Sequence, residues 1–111
     1  MERAEAAFHP GAAAEYEEAY AWYAARGATL ALEFEREVER CLRLITEDPY
    51  RWPAFDAQRR RIIVRRFPYS IVYEVTDTQI FFVAVAHGRR RPSYWRRRVA
   101  APSPPGGERQ R

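Results

Sequence analysis

The chain has 111 residues, 47% of them hydrophobic and 31% charged, which is enough for one domain with a core and short for two. All 19 of its Lys-or-Arg positions are Arg, and they are unevenly placed: residues 1–50 hold 5 Arg against 11 acids (net −6), residues 51–111 hold 14 Arg against 4 acids (net +10). This division predicts an anionic partner for the second half, and the longest apolar runs, Ala19–Ala25 and Ile80–Ala86, fall far short of the roughly 20 residues a membrane span needs.

In chain order, Arg3–Phe8 reads as a short edge strand. Pro10 sits where a first-turn proline is tolerated, because its missing N–H would have no intrahelical partner. Gly11–Arg26 follows as a helix, with Tyr16, Tyr20 and Tyr23 on one stripe, Trp22 off it, and acids near the start that suit the positive end of the helix dipole. Gly27 is expected to stop this helix in a left-handed conformation. Leu30, Phe34, Val38, Cys41, Leu42 and Ile45 then mark one face of a second helix, which Pro49 ends. So short a connector makes the pair an antiparallel hairpin.

Tyr50–Asp56, with Trp52, Pro53 and Phe55, reads as an aromatic loop over the core edge. From Arg59 the period falls to two: Ile62 and Val64 face one way and Ile63 the other. A turn at Phe67–Pro68 leads into Tyr69–Val75, where Tyr69, Ile71, Tyr73 and Val75 alternate with Ser70, Val72 and Glu74. Ile80–Ala86 is apolar on both faces and reads as a central strand of an antiparallel meander. Two arginine triplets, Arg89–Arg91 and Arg96–Arg98, bracket Tyr94 and Trp95, and residues 99–111 are expected to be a disordered tail.

Several chemistries have no footing. Cys41 has no intrachain partner, and the acids Glu2 and Glu5 around Arg3 are unlike a secretory leader, so a cytoplasmic protein is expected. Cys41, His9 and His87 lack metal-ligand spacing, and no phosphate loop or nucleophile elbow occurs; neither a metal nor a cofactor is expected. No His/Asp arrangement turns Ser70 into a nucleophile.

The segment Arg65–Arg98, RRFPYSIVYEVTDTQIFFVAVAHGRRRPSYWRRR, resembles the RelE/ParE superfamily of toxins from bacterial type II toxin–antitoxin modules. FPYSIVYEV (Phe67–Val75) and VAVAHGRRRPSYW (Val83–Trp95) carry most of the likeness. AAAEYEEAYAWYAARG (Ala12–Gly27) and DPYRWPAF (Asp48–Phe55) extend it upstream. The resemblance implies an α+β domain over residues 1–98: an N-terminal edge strand and an αα-hairpin packed on a small antiparallel sheet, in the order β-α-α-β-β-β. It also implies a protein that arrests growth and is neutralised by a cognate antitoxin with an acidic or amphipathic segment, a partner the +10 half would suit.

Two branches of that superfamily imply different actions. ParE-like members inhibit DNA gyrase, whereas RelE-like members cut mRNA in the ribosomal A site. In the nuclease pattern an Arg commonly follows the Tyr that opens the middle strand, and here that position is Ser70, which favours the ParE-like branch. Cleavage through the 2′-OH needs cations for the phosphorane and groups that move protons, for which the candidates are Arg66, His87, Arg89 and Tyr94. The candidate antitoxin- or target-binding residues are Arg65, Arg66, Arg89, Arg90, Arg91, Tyr94, Trp95 and Arg96. For Tyr94 and Trp95 the competing reading is a packing anchor, and for His87 a structural role at a strand end. A domain that has lost toxicity and persists as an antitoxin-binding or autoregulatory partner is the third possibility.

Overall fold

The computed structural model describes residues 5–91 and 93–99. Their elements are β1 (Glu5–Phe8), α1 (Pro10–Ala24), α2 (Ala28–Glu47), β2 (Arg59–Ile63), β3 (Tyr69–Val75) and β4 (Gln79–His87). The β-α-α-β-β-β order is the expected one. The strands form one sheet in the order β1-β4-β3-β2. β2, β3 and β4 make the antiparallel meander, while β1 pairs parallel to β4, so the sheet is mixed. The N-terminal strand therefore lies at an edge and β4 in the interior, which is why β4 is apolar on both faces.

The hairpin packs on one face. Phe34, Val38, Cys41 and Ile45 of α2 meet Ile62, Ile71, Tyr73, Ile80 and Phe82 of the sheet. Each such side chain taken from water contributes about 1.5–3 kcal/mol. α1 approaches through Ala12, Ala19 and Tyr23, the small residues allowing a close seat on β4. Of the tyrosine stripe, Tyr16 and Tyr23 pack onto Phe34, and Tyr20 stays at the rim. Trp22 is 53% exposed, with the Arg26 guanidinium 3.3 Å from its ring centroid. The alternation in β2 and β3 is as read: Ile62 and Val64 are buried, and Ile63 faces solvent.

Helix ends depart from expectation in two places. Gly27 is not a left-handed stop: at φ 163° it is extended and serves as the N-cap of α2, while α1 closes at Ala25 in the right-handed region. His9 caps α1, its Nδ1 accepting the Gly11 N–H at 2.9 Å. No acid lies in the first turn of α1, so the dipole reading of its acids does not apply. The β2–β3 turn places its positive φ, 71°, at Arg66.

The second face is closed by the chain's own later residues. Val72, Phe81, Val83 and Ala84 cluster with Trp95, and Phe55 packs alongside. In the aromatic loop, Arg60 donates to the carbonyls of Tyr50 and Trp52, and Ala54 bridges Arg60, so the outer edge of β2 is partly covered. Trp52 and Phe55 pack inward, whereas Tyr50 is exposed. The tail expected at 99–111 lies outside the described residues from position 100 onward.

Buried phenols make the domain sensitive to alkali. Burial pushes Tyr16 and Tyr73 from 10.0 up to about 12; acids near Tyr16 add to its rise, and the Tyr73 hydroxyl donates to the Pro49 carbonyl. A proton held more tightly in the folded state contributes stability fully below pH 10, and that contribution is lost as pH rises toward 12. Phenolate absorbance and circular dichroism followed against pH are expected to show these tyrosines ionising together with unfolding, not before it.

Candidate functional site

The basic aromatic segment is organised by a carboxylate on α1. β1 pairs with β4 only as far as Phe82, and between Val72 and Tyr73 the β3–β4 register shifts, with Val83 the extra residue on β4. Beyond this point side chains take the place of a strand partner. Glu15 Oε1 accepts the Val85 N–H at 3.0 Å, and Arg98 donates to the Val83 carbonyl at 3.2 Å. The same carboxylate receives both terminal nitrogens of Arg98 at 3.0 Å and the Tyr94 hydroxyl at 2.6 Å. The Glu15 side chain is only 11% exposed, so it is a mostly desolvated charge whose oxygens are fully engaged.

A second anchor lies under the same segment. Arg59, 5% exposed, forms ion pairs with Glu74 at 3.2 Å and Asp56 at 3.6 Å. It donates to the carbonyls of Arg96 and Arg98 and lies 5.4 Å from the Trp95 ring centroid. Asp56 accepts the N–H groups of Gln58 and Arg59, which hold its carboxyl below the usual range. Residues 93–98 run as successive turns, Arg96 N–H to Ser93 O and Arg98 N–H to Trp95 O, strapped at both ends.

The predicted site residues separate into three groups. Arg65 and Arg66 sit at the β2–β3 turn and face acids of α2, at 3.8 Å from Glu37 and 3.1 Å from Glu33. Arg89, Arg90 and Arg91 are exposed just past β4; Arg90 stacks 3.7 Å over the Tyr94 ring, with a guanidinium nitrogen 3.9 Å from Glu15. Trp95 is 3% exposed and packs on Phe55, so of its two readings the geometry gives the packing anchor. Arg96 is exposed and donates to Ser93 Oγ.

Of the proton-transfer candidates, His87 shares one cleft with Arg89 and another with Tyr94, whereas Arg66 lies apart from both. Burial, followed by the Glu15 hydrogen bond, raises the Tyr94 phenol far above its ordinary value. His87 Nδ1 accepts the Arg89 N–H at 2.9 Å, and its ring meets Tyr69 edge-on at 5.0 Å. Arg66 borders neither of the clefts that His87 borders. The larger of these, about 720 Å³, runs between α1 and the end of the sheet past Trp22, Tyr69 and Arg89. The smaller, about 110 Å³, lies by Arg61, Ser70, Arg91 and Tyr94; Arg90 borders both. Among the described residues, no three His, Cys, Asp or Glu side chains gather to hold a metal, and no helix is long and apolar enough to cross a membrane.

Glu15, Arg59 and Arg98 are the organising residues that sequence reasoning missed. One signal was available for Glu15: it lies between Ala12 and Ala19, which seat α1 on β4, and an acid there needs a buried partner.

A family model described as the ParE toxin of type II toxin–antitoxin systems, parDE, matches residues 6–92. The chain belongs to this family. Among solved structures, a chain of the chromosomal ParDE toxin–antitoxin system from P. aeruginosa is similar in fold, with a TM-score of 0.66 at 17% identity over 77% of this chain and 96% of that one. No curated protein matches significantly. The family match ends at residue 92, so the Tyr94–Trp95 strap and Arg98 lie beyond what it covers in this ParE-family chain.

Proposed function

We propose that this ParE-family chain is a toxin that acts by binding, with DNA gyrase as its target, and that a cognate antitoxin neutralises it by laying an acidic segment on the basic end of the sheet. The observation that carries the reading is the engagement of Tyr94. A hydroxyl held at 2.6 Å by a carboxylate, with its pKa driven up, is poorly suited to give or take a proton at neutral pH. Ser70 in place of the nuclease Arg and the ParE family match point the same way. What remains on the surface is charge: Arg89, Arg90 and Arg91, exposed beside the two clefts, suit recognition and steering better than bond breaking.

The test is a supercoiling assay with purified toxin and gyrase, run beside a check of transcript integrity during toxin induction. Inhibited supercoiling with intact transcripts is expected; A-site cleavage products with normal supercoiling would assign the RelE-like action instead. Harmless overexpression without antitoxin would mean that toxicity has been lost. Replacing Arg89, Arg90 and Arg91 together by Ala removes three exposed charges worth about 1.5 kcal/mol in all, so about tenfold more protein is expected for equal inhibition.

A further inference from the structure

Of the three arginines that follow β4, Arg90 differs in one respect. Of these three it alone has, among the described residues, both an aromatic ring and a carboxylate beside it: its guanidinium lies 3.7 Å from the Tyr94 ring centroid and 3.9 Å from Glu15 Oε2. The platform beneath it is itself fixed. Tyr94 is tied through its hydroxyl to Glu15, and Arg98 sits 5.2 Å from the same ring while gripping the same carboxylate. Yet the Arg90 side chain is 52% exposed and borders both clefts. A guanidinium has five N–H donors, and a ring face with one distant carboxylate leaves most of them for another molecule.

We infer that Arg90 is the anchoring cation for an anionic group of the toxin's target, and that Tyr94 and Glu15 are positioning residues that present it. A free arginine loses its rotamer freedom on binding; one already stacked and tethered has lost much of it beforehand, so its contact is stronger and directed. Tyr94 contributes its ring face, and its hydroxyl serves to hold that ring. The inference rests on the target-binding reading above.

Four purified variants decide it in the supercoiling assay: Arg90→Ala, Tyr94→Leu, Tyr94→Phe and the Arg90→Ala/Tyr94→Leu double, each with a thermal melt. Arg90→Ala and Tyr94→Leu are expected to weaken inhibition about fivefold each, the scale of a lost cation–π support. Tyr94→Phe keeps the ring and is expected to recover most of what Tyr94→Leu loses. The double variant is expected to be no weaker than Arg90→Ala alone, because the two residues act as one unit. A merely structural Tyr94 gives instead an additive double variant, with losses that follow the melting temperatures. That outcome, or Arg90→Ala inhibiting like wild type, overturns the inference. Should Tyr94→Leu fail to fold, Arg90→Ala and Tyr94→Phe still decide. If wild type leaves gyrase untouched but arrests growth, the gyrase reading falls, and the same variants scored by growth arrest test Arg90. If wild type does neither, both fall.

Discussion

Glu15→Ala is expected to destabilise the domain by about 3–5 kcal/mol, the cost of breaking a mostly buried ion pair by removing one partner. The substitution leaves the Arg98 guanidinium, the Tyr94 hydroxyl and the Val85 N–H without their acceptor, and none of the three is placed to recover full hydration. Urea unfolding followed by circular dichroism measures the loss. Glu15→Gln keeps an oxygen acceptor while removing the charge, and is expected to cost less, about 1–2 kcal/mol. The ordering wild type, Gln, Ala is the informative part. Equal costs for Gln and Ala would mean that charge alone matters, and no cost for either would mean that the strap is held elsewhere.

The second large effect is expected at Trp95. Trp95→Ala removes the largest side chain covering Val72, Phe81 and Val83 and takes away the edge-on contact with Phe55 and the ring beside Arg59, for a loss of about 3–5 kcal/mol. Trp22→Ala is the matched control. Trp22 is solvent-facing and packs chiefly with Arg26, so its loss is expected to cost about 0.5–1 kcal/mol. Thermal or urea unfolding of the two variants checks the contrast, and similar costs would contradict the closed second face.

How much of this was legible in the sequence depends on the range of the interaction. The helix faces, the meander and the two-faced character of β4 follow from periodicity, because burial selects apolar residues at the local repeat. The direction of β1 left no local trace, since a four-residue strand looks the same whether its neighbour runs with or against it. Gly27 was misread for a related reason: a glycine between two helices can end the first or begin the second, and only the backbone angles distinguish them. At the site, the exposed arginines were found because charge runs are visible in one dimension. Arg59 was hidden among Arg60 and Arg61, because three adjacent cations in a strand point to different sides and only the packed structure shows which one is buried. Glu15 and Arg98 are separated by 83 residues, and no local pattern joins them.

That same separation has a consequence for synthesis. At about 5–20 residues per second, the carboxylate of Glu15 is made roughly 4–17 s before the guanidinium that completes it. During that interval Glu15 has no guanidinium to pair with from Arg98, and the Val83 carbonyl, once made, waits for its donor, whereas the Val85 N–H finds Glu15 already present. The cationic end of the sheet is thus the last part of the described domain to be completed, because its clamp on Glu15 closes only after residue 98 has been added.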